Sequence, residues 1–321
     1  MTEKPPVSGL TPQLQALIDE FASWWSRAEK QRDAANVVRS PLYHYTDMGG
    51  LLGILSNEKL WFTSMHHLND PSELTYGIGM ALDIFDRVAK ASTVIPVGDF
   101  CAVAKHVLIK SGGEIFGFYV ASFSQADNDL AQWRSYADNG RGVAIGFAPS
   151  LFAYAADQSH FGPADKTLVT PVLYDRKQCE RNFGEVIRRA AALVDRAQAH
   201  VTDKDERDAF RDELARQIAA PIFLLTMTCK HSAYAHERET RMLLANVRED
   251  LDPITQFRTR GPNLVPYVPS DFKVRKPGVI TKIMVGPAAH DSADEAVRAL
   301  LRKHGLSPDI VERSEIPYTA H

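Results

Sequence analysis

The sequence has few cysteines and no long apolar run, and each absence excludes a class of protein. Its three cysteines are Cys101, Cys179 and Cys229. Their odd number and wide spacing fit neither a disulfide framework nor a CxxC metal site, so buried free thiols are expected. No segment approaches the ~20 apolar residues that a membrane-spanning helix needs. The N-terminal stretch lacks the basic start and apolar run of a signal peptide, so we predict a soluble, cytoplasmic protein.

The sequence also lacks an excess of either charge. It contains 37 Lys and Arg against 40 Asp and Glu, which gives a formal net charge of -3. Non-specific binding of nucleic acid depends on positive charge that neutralises phosphates. A nucleic-acid partner is therefore possible but is not implied by the charge. A Gly-rich dinucleotide fingerprint is missing as well, since GIGMAL lacks the third glycine, and this disfavours a Rossmann site.

The patterns that are present alternate between helices and strands. Helical spacing of apolar residues predicts an N-terminal helical extension over residues 1–40, capped by Thr11, and Asp47 is the predicted N-cap of a second helix. Residues 41–321 are predicted to form a single α+β domain with a helical insertion around residues 177–225. The predicted strands include LYHYT, WFTSM, IFGFYVASFSQ, VAIGFAP, ERETRMLLA, NLVPYV, VITKIMVG and DIVERSEIPY.

The first candidate for chemistry is the end of the LYHYT strand. Strand side chains alternate between the two faces of a sheet, so His44 and Thr46 are expected on one face and Tyr45 on the other. A single histidine at a strand end can equally be an ordinary hydrogen-bonded residue. His44 therefore needs partners from elsewhere in the chain to count as functional.

The second candidate is the loop HHLNDPSE. Imidazole and carboxylate groups suit divalent metals, which makes a metal site from His66, His67, Asp70 and Glu73 conceivable. However, adjacent histidines on an extended chain point apart, and no HExxH spacing is present. The alternative is a loop whose Asn69 and Asp70 side chains bond its own backbone.

The third candidate joins Ser122 and Ser124 to the short helix that carries Trp133, Arg134 and Tyr136. An arginine offers a donor fork for phosphate, and aromatic rings offer a flat apolar face for a planar ligand. Packing of the short helix onto the sheet explains the two aromatic residues equally well.

The fourth candidate is the late segment KHSAYAHERETRML. If ERETRMLLA is a strand, Glu237, Glu239 and Arg241 project to one face. Two carboxylates at such a short distance repel each other unless a positive group lies between them. Either a structural ion pair or a cationic ligand would supply that group.

Together these segments resemble a known family. The motifs LYHYT, LLGILSNEKLW, LNDPSELTYG, SFSQADNDLAQWRSYADNGRGVAIGF and KHSAYAHERETRML are similar to the bacterial family of domain of unknown function 2971 (DUF2971), from about Leu42 to Pro317. This resemblance implies a role in bacterial conflict, such as phage defence or a toxin.

A more distant resemblance is to ADP-ribosyltransferases. Their plan combines His-x-Thr on a first strand, a Ser-aromatic-Ser strand and a late Glu-x-Glu strand. This resemblance implies split mixed or antiparallel sheets and NAD as a substrate, whose ADP-ribose passes to a macromolecule or a nucleotide. It assigns Glu239 to stabilising the developing sugar cation, and Glu237 either to orienting the acceptor or to substituting for Glu239.

The same resemblance assigns the remaining site residues. His44 would hydrogen-bond a ribose hydroxyl, and Thr46 would fix the strand end where nicotinamide docks. A tyrosine, Tyr136 or Tyr76, would stack on the nicotinamide ring. The full set of expected NAD-binding residues is His44, Tyr45, Thr46, Ser122, Ser124, Trp133, Arg134, Tyr136 and Arg241, with Arg134 or Arg241 facing the pyrophosphate.

Two other functions compete with this hypothesis. One is a metal-dependent nuclease or phosphoesterase that uses the HHLNDPSE loop. The other is a non-catalytic module that keeps the pocket and binds a nucleotide as a signal. The NAD hypothesis itself requires no metal.

Overall fold

The protein is described by a computed structural model that covers residues 10–68, 73–111, 116–157, 166–247 and 252–320. Its α-helices there are α1 Pro12–Ala35, α2 Met48–Asn57, α3 Glu73–Ala91, α4 Ile95–Ser111, α5 Leu130–Tyr136, α6 Pro149–Asp157, α7 Arg176–Ala197, α8 Lys204–Met227 and α9 Ala293–Lys303. Its strands there are β1 Leu42–Thr46, β2 Lys59–Ser64, β3 Phe116–Ser124, β4 Val143–Phe147, β5 Lys166–Pro171, β6 Glu239–Val247, β7 Gln256–Arg260, β8 Asn263–Asp271, β9 Ile280–Val285 and β10 Val311–Arg313.

The chain divides into two compact units. The first comprises the described residues of Met1–Ala35, Asp70–Phe116 and Leu173–Ser232, and the second those of Asn36–Asn69, Gly117–Val172 and Ala233–His321. The helices predicted around residues 177–225 are present as α7 and α8 and belong to the first unit. The domain boundaries at residues 40 and 41 stay a prediction.

The first unit is built from helices. Helices α3, α4, α7 and α8 contact one another, and α1 contacts α7 and α8. Asp175 and Asp203 cap α7 and α8 by accepting hydrogen bonds from the backbone N–H groups of Lys177 and Glu206. These caps supply partners for backbone donors that the first turn of a helix leaves unsatisfied. None of the helices among the described residues is both long and apolar enough to cross a membrane.

The second unit contains the sheet. The strand order is β10-β9-β4-β1-β3-β2-β8-β7, and β6 pairs with both β3 and β5. Strand β3 therefore pairs with three strands, so the sheet branches there and stays one connected open sheet. The β9–β10 pair is parallel, and the other pairs with a described register are antiparallel. This mixed sheet with helices confirms the α+β class.

One face of this sheet carries the hydrophobic core of the second unit. Leu60 and Phe62 of β2, Phe123 of β3, and Met242 and Leu244 of β6 lie in one buried cluster. Because strand side chains alternate, the residues between them face the opposite side. That opposite face carries polar and aromatic residues, namely Trp61, Thr63, Ser122, Ser124, Glu239 and Arg241.

Two predicted strands have different bounds in the structure. Strand β6 begins at Glu239, because Ser232–Glu237 form a 3-10 helix and Arg238 has a left-handed backbone with φ 44°. The prediction that Glu237 shares a strand face with Glu239 and Arg241 is therefore wrong. In DIVERSEIPY only Val311–Arg313 form a strand, because a 3-10 turn at Pro308–Ile310 precedes it.

Candidate functional site

An open cleft lies in the second unit where β1 and β3 separate. Pairing between these strands is limited to Tyr43 and Ser124. The cleft has a volume of about 370 Å³ including its open mouth. Three consecutive residues of each strand line it, which indicates that it opens at the gap between the strands. Its lining residues are Tyr43, His44, Tyr45, Ser122, Phe123, Ser124, Gln132, Tyr136, Glu237 and Glu239.

His44 lies across the gap between the strands. Its Nδ1–H donates to the carbonyl oxygen of Ser122 at 2.9 Å, and its ring lies 5.7 Å from that of Phe123. Burial of the imidazole lowers the pKa of His44. The hydrogen bond to Ser122 raises this pKa, and the positive charge of Arg258 lowers it. The ring is therefore neutral near pH 7. With Nδ1 donating to a carbonyl, Nε2 is left as a hydrogen-bond acceptor.

Glu237 is held at the cleft by its neighbours from β3 and α5. The Tyr136 hydroxyl donates to its Oε1 at 2.8 Å, and the Ser124 hydroxyl donates to its carbonyl oxygen at 2.8 Å. Ser124 Oγ also accepts from the N–H of Ala126. Ser124 therefore positions the turn that carries Glu237.

Glu239 forms a bidentate ion pair on its own strand. Arg241 Nε donates to its Oε1 at 2.8 Å, and Arg241 Nη2 donates to its Oε2 at 2.9 Å. The Arg241 side chain is only 1% exposed. This fork geometry fixes the orientation of the carboxylate and offsets its charge. The prediction that Glu239 and Arg241 project to the same face of the strand is thus confirmed. The guanidinium of the pair is buried.

Gln132 is a lining residue that the sequence analysis did not assign a role. The residue is 6% exposed, and its side-chain carboxamide makes no hydrogen bond with any described residue. Because Gln132 lines the cleft, its carboxamide is a candidate ligand contact. The signal in the sequence was its place on the short helix beside Trp133.

Several predicted ligand residues support the cleft from behind. Trp133 is fully buried, donates from Nε1 to Asn128 Oδ1 at 2.8 Å, and packs edge-on against Tyr45. The Tyr45 hydroxyl donates to Ala126 O and accepts from the N–H of Asp129, and burial raises its pKa. Both aromatic side chains therefore fix α5 onto β1.

Other predicted residues do not line the cleft. Thr46 ends β1, where its side chain contacts Gly50 of α2, and Arg134 is exposed on α5. Tyr76 belongs to the first unit and lies edge-on to His231. Among the tyrosines proposed for stacking, Tyr136 is the one at the cleft.

The residues of the metal hypothesis are only partly described. His66 and His67 end a 3-10 turn after β2, and Asp70 lies outside the described residues. Glu73 begins α3, where its Oε2 lies 3.9 Å from Lys230 Nζ. In the part of the chain that the structure describes, no three His, Cys, Asp or Glu side chains come close enough to hold a metal ion.

Comparison with known proteins gives one match. A family model described as "Protein of unknown function (DUF2971)" matches residues 132–242, about a third of the chain. The matched segment carries Gln132, Tyr136, Glu237, Glu239 and Arg241, and it supports the predicted family. A search of curated proteins and a search of solved structures found no match.

Proposed function

We propose that the cleft binds the nicotinamide-ribose end of NAD and that the protein transfers ADP-ribose to a macromolecule or a nucleotide. The supporting observation is that His44 from β1 and the carboxylates Glu237 and Glu239 from the late segment line one cleft.

The proposed reaction breaks the C–N bond between ribose and nicotinamide. Nicotinamide leaves with the bonding electron pair, and the sugar becomes oxocarbenium-like. A nearby carboxylate stabilises that developing positive charge. The acceptor then forms a bond to the sugar carbon and gives up a proton. The neutral His44 ring would accept a hydrogen bond from a ribose hydroxyl at Nε2.

Glu237 and Glu239 have different hydrogen-bond partners, which suggests that they have different roles. Arg241 bonds both oxygens of Glu239 and offsets its charge, whereas Glu237 accepts from the neutral Tyr136 phenol. We therefore propose that Glu237 shares the stabilisation of the sugar cation with Glu239, and that Arg241 keeps Glu239 in position.

The test is nicotinamide release from NAD by purified protein. Glu237→Gln and Glu239→Gln keep the side-chain shape and remove the charge. Each is expected to lower the release rate about 100-fold or more, the usual effect of losing a group that stabilises transition-state charge. Release is measured by chromatography, and NAD binding is measured in parallel by isothermal titration calorimetry.

Glu295→Gln is the matched control, because Glu295 is exposed on α9 and distant in sequence from the lining residues. Its release rate should equal that of the wild type. Wild-type protein that binds NAD without releasing nicotinamide would remove the transferase proposal. An unchanged rate in one Gln variant would remove that carboxylate from the chemistry.

A second candidate function is a module that binds a nucleotide without turnover. The observation that favours it is the Glu239–Arg241 pair, since a guanidinium bonded to both oxygens weakens the field that a sugar cation would feel. Saturable NAD binding with no release of nicotinamide would support this module.

A further inference from the structure

We propose that Arg258 of β7 forms an anion subsite beside the cleft and binds the diphosphate of a nucleotide. The identity of that ligand rests on the proposed function, whereas the anion chemistry rests on Arg258 itself. Neither the family match, which ends at residue 242, nor the sequence analysis assigns this residue a role.

Arg258 is a half-buried cation that forms no ion pair with the described residues. Its Nη2 donates to Thr63 Oγ1 at 3.0 Å, and its Cζ lies 5.2 Å from the centre of the Trp61 ring. Its buried Nε has no hydrogen-bond partner, and no described carboxylate lies within ion-pair distance of the guanidinium. Keeping a charge from water without a counterion is costly, so such a residue is suited to an anionic ligand.

Three other arginines of the second unit have carboxylate partners. Arg241 pairs with Glu239, Arg275 with Glu58, and Arg313 with Asp294. Burial lowers the pKa of Arg258, and the positive charge of Arg260 on the same strand lowers it further. Tyr267 and Asp47, the N-cap of α2, act in the opposite direction. The local field at Arg258 therefore favours an anion.

The strand register brings this guanidinium close to the cleft. Arg258 bonds Thr63 of β2, and Thr63 pairs with Val120 of β3. Ser122, whose carbonyl accepts from His44, is two residues farther along β3, on the same face as Val120. Two strand residues span roughly 7 Å. The β3 positions beside which Arg258 and His44 lie are therefore close along that strand, as a nucleotide with its sugar at His44 and its phosphates at Arg258 requires.

The charge of the cleft supports the same placement. Glu237 and Glu239 would repel a diphosphate, so the phosphates need a positive group at the other end of the ligand. The two arginines expected for this role do not serve it. Arg134 is exposed outside the lining, and Arg241 is committed to Glu239.

The direct test is binding of inorganic pyrophosphate, measured by isothermal titration calorimetry at two salt concentrations. Wild-type protein should bind it saturably and more weakly at high salt. Arg258→Gln should weaken binding at least about tenfold, and Arg258→Lys should retain part of the affinity, because lysine keeps the charge and loses the fork. Arg302→Gln, an exposed change on α9, should bind like the wild type.

A second pair of ligands separates the subsite from the proposed function. Arg258→Gln should weaken NAD binding and leave binding of nicotinamide riboside, which has no phosphate, unchanged. Absence of saturable pyrophosphate binding to the wild type, or equal binding to Arg258→Gln, would overturn the anion subsite even where NAD is cleaved. Arg258-dependent pyrophosphate binding by a protein that does not bind NAD would uphold the subsite and refute the NAD proposal.

Discussion

At the scale of single residues, Gln132 differs from the other buried polar groups at the cleft. Ser124, Glu237 and Glu239 each have a protein partner, whereas the Gln132 carboxamide has none among the described residues. Folding gains nothing from an amide that bonds no other part of the chain. Under the proposed function, a ligand that offers both a donor and an acceptor, such as the nicotinamide carboxamide, would pair with this side chain.

Gln132→Met is therefore expected to separate stability from binding. The unfolding free energy should equal or exceed that of the wild type, because no hydrogen bond is lost and an apolar group replaces the amide. NAD affinity should fall about tenfold, a typical cost of one lost buried polar contact. Chemical denaturation measures the first quantity and titration calorimetry the second.

Gln217→Met is the control for this change. The Gln217 carboxamide donates to Glu213 Oε1 at 2.7 Å on α8, so its loss should lower stability and leave NAD affinity unchanged. A Gln132→Met protein that binds NAD normally would show that Gln132 is not a ligand contact.

At the scale of elements, the turn before β6 determines where both carboxylates lie. Arg238 adopts φ 44° between the 3-10 helix and the strand, and its carbonyl accepts from the N–H of Gln125. This left-handed residue allows Glu237 and Glu239 to line one cleft although Glu237 lies outside the strand. The conformation is costly for a residue with a side chain and mild for glycine.

Two substitutions test this turn. Arg238→Val should lower the unfolding free energy by about 1–3 kcal/mol, because a β-branched residue is strained at positive φ. It should also weaken NAD binding by displacing Glu237. Arg238→Gly should keep both quantities near wild type. Denaturation and calorimetry give the comparison, and equal stability of the two variants would show that the turn is unstrained.

The elements that the sequence predicted best were those with local signals. Asp47 accepts from the N–H of Gly50 and begins α2 as expected, and the apolar spacing that predicted α1 buries Leu14, Leu17, Ile18 and Phe21. The left-handed Arg238 had no such signal, because arginine is not a residue that favours that conformation. The start of β6 was therefore placed too early.

The sequence predicted only some of the residues of the candidate site. His44, Tyr136, Glu237 and Glu239 were expected on the basis of the resemblance and do line one cleft. Arg258 was not expected, because its proposed role depends on the lack of a described carboxylate within ion-pair distance and on the β2–β8–β7 register. Periodicity within one segment does not report such contacts between distant strands.

At the scale of the whole molecule, the cleft belongs to one unit although its residues come from distant parts of the chain. His44 lies in Asn36–Asn69, Ser122 in Gly117–Val172, and Glu237 and Glu239 in Ala233–His321. A ligand that contacts all three segments binds the folded second unit and not the unfolded chain. Binding is therefore linked to the stability of that unit.

Hydrogen exchange with NAD present tests this linkage. At a ligand concentration of about 100 times the dissociation constant, opening of the unit costs roughly 2.7 kcal/mol more, so exchange through that opening slows by about 100-fold. The effect should be greatest in β1, β3 and β6, whose amides surround the cleft. Mass spectrometry of peptides would locate this protection. Uridine, which lacks both nicotinamide and phosphate, serves as the control ligand. A ligand bound in the cleft must slow the opening of the strands that it contacts. Protection confined to the helices of the first unit would therefore place the NAD site elsewhere.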